Sequence, residues 1–284
     1  MRIFFIVLLF ISSSFATNVV VSYPYIKDLV EKIAKDKLEV TTLSDGRFDP
    51  HFVVAKPSLI LKVKRADALI INGGQLEIGW LPALIKRASN RKINEHFLEL
   101  SRVVKLSEKP VSVSRADGDV HPDGNPHFIF DPHNVPALAK TITQFLASLD
   151  EKNSQFYKNN LEQFLQEWKT FLNGYDHKMS KLKNLKVVQF HKMYSDYFRR
   201  YNIQTVATIE PLPGVSPSAK DTFKLVKKVN SEKVKFIVLS SFNPKKSALF
   251  IESKTDAKVI TLPADAYEMS LEQMYDRMLS ELNK

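Results

Sequence analysis

Residues 153–182 form one continuous amphipathic run, in which Phe156, Leu161, Phe164, Leu165, Trp168, Leu172, Tyr175 and Met179 recur at spacings of mostly three or four. That period belongs to a helix with one apolar face. At about 1.5 Å of rise per residue it would run for roughly 40 Å, the height of two stacked domains. Gly174 weakens the run near its end, but its length favours a strut between domains over an ordinary core helix.

On both sides of the run, short β-branched segments alternate with helical ones. Upstream, residues 18–22, 38–43, 68–71 and 103–106 read as strands, and 26–34, 57–65 and 80–88 as helices. Asp131-Pro132 is a helix start, with Asp as N-cap and Pro at the first helical position, for a helix to about Leu149. Downstream, residues 186–190, 204–209, 234–239 and 258–262 read as strands, and 218–229, 244–255 and 270–282 as helices. This alternation indicates parallel sheets with helices on their faces. The expected fold class is α/β: two α/β domains with mainly parallel sheets joined by one long rigid linker helix, with a cleft between them. The boundaries fall at 17–150 for the first domain, 151–183 for the linker and 184–284 for the second.

The first sixteen residues read as a signal peptide outside the fold. Arg2 supplies a positive start, IFFIVLLFI is too short to span a bilayer as a helix, and Ser14 and Ala16 stand at cleavage-site positions. The mature chain is expected to begin near Thr17 and to be soluble outside the cytoplasm. No cysteine follows the apolar run, so the lipid attachment of bacterial lipoproteins is not expected. With no cysteine anywhere, an exported chain has no disulfides and no thiolate to offer a metal. The net charge of +10 comes from lysines scattered over helices and ends, with a modest cluster from Lys224 to Lys246. No aromatic-interleaved basic motif accompanies them, so the charge reads as solvated surface and no nucleic-acid partner is expected.

Three of the seven histidines, His121, His127 and His133, crowd into GDVHPDGNPHFIFDPHN. His127 and His133 directly follow proline, as does His51 in the loop SDGRFDPHF. Proline fixes its own φ and extends the residue before it, so a following imidazole sits on a stiff backbone. That suits a preorganised metal ligand and equally an ordinary turn. In open α/β sheets, ligands bind outside the carboxyl ends of the strands. His51, His191 and Asp265 each follow an expected strand, and His127 lies in the loop after the fourth. Two come from each half, and three imidazoles with one carboxylate match a four-coordinate zinc site. His133, at a helix start, reads as structural; His121 as an accessory contact at most; His96 and His177 as surface residues. Glu210 reads as a helix partner or as a hydrogen-bond acceptor beside a ligand.

DPHFVVAKPS, RADALIINGGQLEIGWLPALI, GNPHFIFDPHN, VVQFHKMYSDYF, EPLPGVSPSAKD and PADAYE together resemble the ZnuA-like periplasmic solute-binding proteins of bacterial zinc and manganese ABC transporters, over nearly the whole mature chain. The resemblance implies a metal held by His51, His127, His191 and Asp265. Family members with histidine at the third of these positions are mostly zinc receptors and those with glutamate mostly manganese receptors, so His191 points to Zn²⁺, with Mn²⁺ as the alternative. The long His- and acid-rich loop of the family's zinc receptors is reduced here to GDVHPDG. The expected function is therefore capture of periplasmic Zn²⁺ and its delivery to a membrane permease, by a monomer without enzymatic activity. The competing expectations are a manganese or iron receptor of the same family and a secreted zinc hydrolase, for which no HExxH motif is present.

Overall fold

The computed structural model describes residues 17–110, 121–210 and 214–284. The expected signal segment, the first three residues of GDVHPDG and Pro211–Pro213 lie outside the described residues. In the first half, β1 (Thr17–Val21), α1 (Pro24–Ala34), β2 (Leu38–Thr42), α2 (Pro57–Arg65), β3 (Ala68–Ile71), α3 (Leu81–Ala88), α4 (Lys92–Glu95) and β4 (Phe97–Glu99) follow in order. Then come α5 (Val135–Leu149) and α6 (Ser154–Met179). The second half contains β5 (Lys186–Gln189), α7 (Ser195–Arg200), β6 (Gln204–Thr208), α8 (Ala219–Glu232), β7 (Phe236–Ser240), α9 (Lys246–Glu252), β8 (Lys258–Leu262) and α10 (Leu271–Leu282).

Each half is built on a four-stranded sheet, ordered β2-β1-β3-β4 and β6-β5-β7-β8, with every pairing parallel. The same strand order therefore occurs twice. In both, the chain reverses direction across the sheet beside the strand that opens it, which is where open α/β sheets form a crevice at their carboxyl edge. The central strands are apolar on both faces: β3 is wholly buried, and so is β7. Helices covering both sides of a parallel sheet require this.

The fourth strand departs from expectation. Residues 103–106 contain two valines and a leucine, yet the paired segment is Phe97–Glu99, beside β3. The chain then tightens into a 3-10 turn over Leu100–Val103, where Ser101 N–H donates to Asn72 O at 2.8 Å. A three-residue edge strand leaves too short a period to read. The helix expected from Pro132 begins as a 3-10 turn over Pro132–Asn134, capped by Asp131 accepting from His133 N–H, and continues as α5.

α6 spans 26 residues, roughly 39 Å. It buries Tyr157, Phe164, Trp168, Tyr175 and Met179 on one stripe at spacings of seven and four, and Gly174 does not interrupt it. Trp168 Nε1–H donates to Pro132 O at 3.1 Å, fixing the helix to the entry of α5. The Tyr175 hydroxyl reaches Tyr275 O of α10 at 2.9 Å, and the Tyr275 hydroxyl donates to Ile129 O of the first half. One hydrophobic cluster runs from β1 and α1 through α5 and α6 to α10, so both halves share a core along the strut. Ion pairs reinforce the contact: Arg200 grips Asp131 with Nε and Nη2 at 3.1 and 2.7 Å, and Lys32 meets Glu272 at 2.6 Å.

Candidate metal centre

The carboxyl ends of the two sheets face one another, and the histidines stand between them. After β2 the chain enters the loop that carries His51. Gly46, at φ +76°, passes close over Asp265 and Pro24, where an added Cβ would lie 3.1 and 3.0 Å from their side chains. The carbonyl just before His51, Pro50 O, accepts from both the Tyr23 hydroxyl (2.9 Å) and Trp80 Nε1–H (3.2 Å). Asp49 Oδ1 accepts from the His51 backbone N–H at 3.0 Å and faces its Nδ1 at 2.7 Å. A carboxylate at Nδ1 selects the Nδ1–H tautomer and leaves the Nε2 lone pair free to ligate.

His127 follows an isolated antiparallel bridge between Ser107 and Asn125. Its N–H donates to Asn125 Oδ1 at 3.0 Å, and Asn125 Nδ2 donates across the cleft to Lys192 O at 3.1 Å. In the second half, buried Gln189 at the end of β5 accepts from Tyr194 N–H and donates to Thr205, pinning the turn that presents His191. His191 Nδ1 faces Glu210 Oε2 at 3.1 Å, in the manner of His51 and Asp49.

The ring centroids of His51, His127 and His191 lie 5.3, 5.7 and 5.8 Å apart. His121 joins them: its ring stacks on His51 at 5.2 Å, and the two Nε2 atoms are 3.1 Å apart. The donor atoms of His51, His121 and His127 all fall within 4.8 Å of one another. His51, His127 and His191 line a small cavity of about 30 Å³, room enough for a water molecule or an ion. His127 Nε2 is buried and finds no hydrogen-bond partner among the described residues. An unpaired buried nitrogen is costly, and a cation among the imidazoles would satisfy it. Burial, with the neighbouring imidazoles, pushes His127 well below the ordinary histidine range and His121 down to about 3. Both are thus neutral, the form a metal needs.

Asp265, at the end of β8, has a different setting. Its Oδ1 accepts from Tyr25 N–H at the start of α1 (2.9 Å) and from Ala266 N–H (2.6 Å), and burial raises its pKa to about 7. It lies under Gly46 of the His51 loop, but it is not among the residues around the small cavity. His133 points elsewhere, pairing with Asp176 of α6 at 3.1 Å. The structure therefore gathers His51, His127 and His191 as the spacing suggested, adds His121, and sets Asp265 behind the His51 loop. Asp49 and Asn125 open the same Asx-Pro-His triplet and each accepts from the N–H of its histidine, whereas Gln189 carries no pattern in the sequence, since its role comes from the turn it closes.

A family model described as ZnuA, zinc-uptake complex component A, periplasmic, matches residues 19–283. The chain belongs to this family. A metal ABC transporter substrate-binding lipoprotein of Lactococcus lactis subsp. lactis (strain IL1403) is 27% identical over 245 residues, covering 84% of this chain and 72% of the relative. The manganese ABC transporter substrate-binding lipoprotein PsaA of Streptococcus pneumoniae is 29% identical over 160 residues, covering 55% of this chain and 49% of the relative. Among solved structures, a zinc-bound ZnuA deletion mutant superposes with a TM-score of 0.81 at 25% identity, over 94% of this chain and 96% of that one. The family and these relatives are substrate-binding components of metal transporters, not enzymes.

Proposed function

We propose that this chain captures Zn²⁺ in the periplasm and hands it to the membrane permease of an ABC transporter. The observation that carries the reading is the buried Nε2 of His127, without a hydrogen-bond partner among the described residues and set in a small cavity with two imidazoles oriented by carboxylates. We assign His51, His127, His191 and Asp265 as the ligands, with His121 competing for the carboxylate's position. Three or four nitrogen donors suit zinc, whereas manganese favours a harder, oxygen-rich set. The second reading, a manganese receptor, is supported by the pneumococcal relative, a manganese ABC transporter substrate-binding lipoprotein; the nitrogen-rich donor set argues against it.

Replacing His127 by Ala should abolish most zinc binding, while His133→Ala leaves it within about twofold and acts on the start of α5. Asp265→Asn and His121→Ala, measured singly by calorimetry, decide the fourth donor: the true ligand is the one whose loss weakens zinc by about 100-fold or more. Retention of zinc by His127→Ala would refute the site.

A further inference from the structure

We infer that Asn72 and Tyr25 are positioning residues of the metal site: a continuous hydrogen-bonded path runs from Asp265 through Tyr25 and Asn72 to the peptide that carries His127. The inference rests on the proposed reading of His127 and Asp265 as ligands.

Asn72 follows the last residue of β3 and is 1% exposed. Its Nδ2 donates to Gly73 O at 2.9 Å and to Pro126 O at 3.1 Å, and its Oδ1 accepts from the Tyr25 hydroxyl at 2.7 Å. A buried amide offers two donors and a carbonyl acceptor, and all are engaged. The backbone of Asn72 is anchored too, its N–H shared between Ser22 Oγ and Glu77 Oε1 at 3.1 and 2.8 Å. Gly73 N–H also donates to Glu77 Oε2, at 3.0 Å. The amide is therefore a fixed post on the sheet edge, and not a side chain that follows the loop.

Pro126 O is the carbonyl of the peptide joining Pro126 to His127. The proline ring already fixes φ at Pro126, so ψ is the rotation left to orient that peptide. The bond from Asn72 holds it. On the far side, the His127 N–H is held by Asn125 Oδ1. Together these bonds aim an imidazole whose Nε2 has no hydrogen-bond partner among the described residues. Tyr25 carries the constraint to the other half: its backbone N–H holds Asp265 Oδ1, while its phenol, at the end of a 2%-exposed side chain, holds Asn72. One residue at the start of α1 thus touches both ends of the proposed ligand set. Buried polar networks of this kind orient metal ligands, and loss of a member typically weakens metal binding by about 10- to 100-fold.

The test uses the full mature chain in metal-free form, loaded with Zn²⁺ for affinity and with Co²⁺ for its visible bands. Tyr25→Phe keeps the ring and the backbone N–H to Asp265 and removes only the phenol's bond to Asn72. Asn72→Ala removes the bond to Pro126 as well. The expected result is weaker zinc binding, by about fivefold for Tyr25→Phe, the worth of one hydrogen bond, and by about 10- to 100-fold for Asn72→Ala. The cobalt bands should shift in both, because ligand geometry has changed. Should Asn72→Ala fail to fold, Tyr25→Phe alone decides. Zinc affinity within twofold of wild type with unchanged cobalt bands overturns the inference even if the melting temperature falls, since the two residues are then structural only. Failure of the unaltered chain to bind zinc or cobalt would instead overturn the functional reading beneath it.

Discussion

His127 carries the sharpest consequence at the scale of single residues. Burial and the neighbouring imidazoles hold its pKa far below the 6.5 of an exposed histidine, so the unfolded chain takes up a proton at a pH where the folded chain does not. For such a group the stability present above pH 6.5 is lost as pH falls below it. Between pH 7 and pH 5 the loss is about 2 kcal/mol. Asp265 and Glu77, both raised to about 7 by burial, act in the opposite direction. They are common to wild type and to a His127→Phe variant, so they cancel in the comparison. Metal-free wild type should therefore lose about 2 kcal/mol more than His127→Phe over that interval, read by denaturant unfolding at each pH. Gly124 gives a second prediction. It sits at φ +117°, and an added Cβ would lie 2.6 Å from Ser107 O, the carbonyl that bonds Asn125 N–H. Gly124→Ala should cost about 1–3 kcal/mol and weaken zinc binding together with stability, because the bridge it breaks leads directly into His127.

Secondary-structure elements were most legible where period and punctuation agreed. The strand at residues 258–262, the helix at 57–65 and the strand at 68–71 coincide with the observed β8, α2 and β3, and α6 followed from its apolar stripe. The short pieces were not legible. β4 has three residues with Phe97 exposed, and α7 has six set by the turn that Gln189 closes. The same distinction applies to the site. His51 and His191 were singled out by placement after strands that the fold contains, and His127 by placement after a strand that ends earlier than expected, whereas the link from Tyr25 to Asn72 crosses 47 residues and that from Tyr25 to Asp265 crosses 240. No local pattern encodes such pairs. The junction of α7 with the start of α5 is open to test. Arg200 is the cation that holds Asp131, whose side chain is only 11% exposed and also caps the 3-10 turn. Arg200→Ala should cost about 1–2 kcal/mol, less than a fully buried pair because the guanidinium is 43% exposed. Chemical denaturation of the metal-free protein measures it.

The whole molecule is two sheets with their carboxyl edges opposed, held by one strut and one shared core. Bonds join the halves at the site, where Asn125 reaches Lys192 and Tyr25 N–H reaches Asp265, and along the shared core, where Tyr275 reaches Ile129, Arg200 reaches Asp131 and Leu271 N–H reaches Asp28. Wide hinge opening would break this core, so loading should move loops and side chains, not halves. Small-angle scattering should show a change in radius of gyration of less than about 1 Å between metal-free and zinc-loaded protein. The central claim, a zinc site assembled from histidines of both halves, is tested most directly by titrating metal-stripped protein with Zn²⁺ and then challenging it with Mn²⁺ in calorimetric competition. One tightly held Zn²⁺ per chain, not displaced by an equal concentration of Mn²⁺, is the predicted result; tighter binding of Mn²⁺, or no saturable binding of either ion, would contradict it.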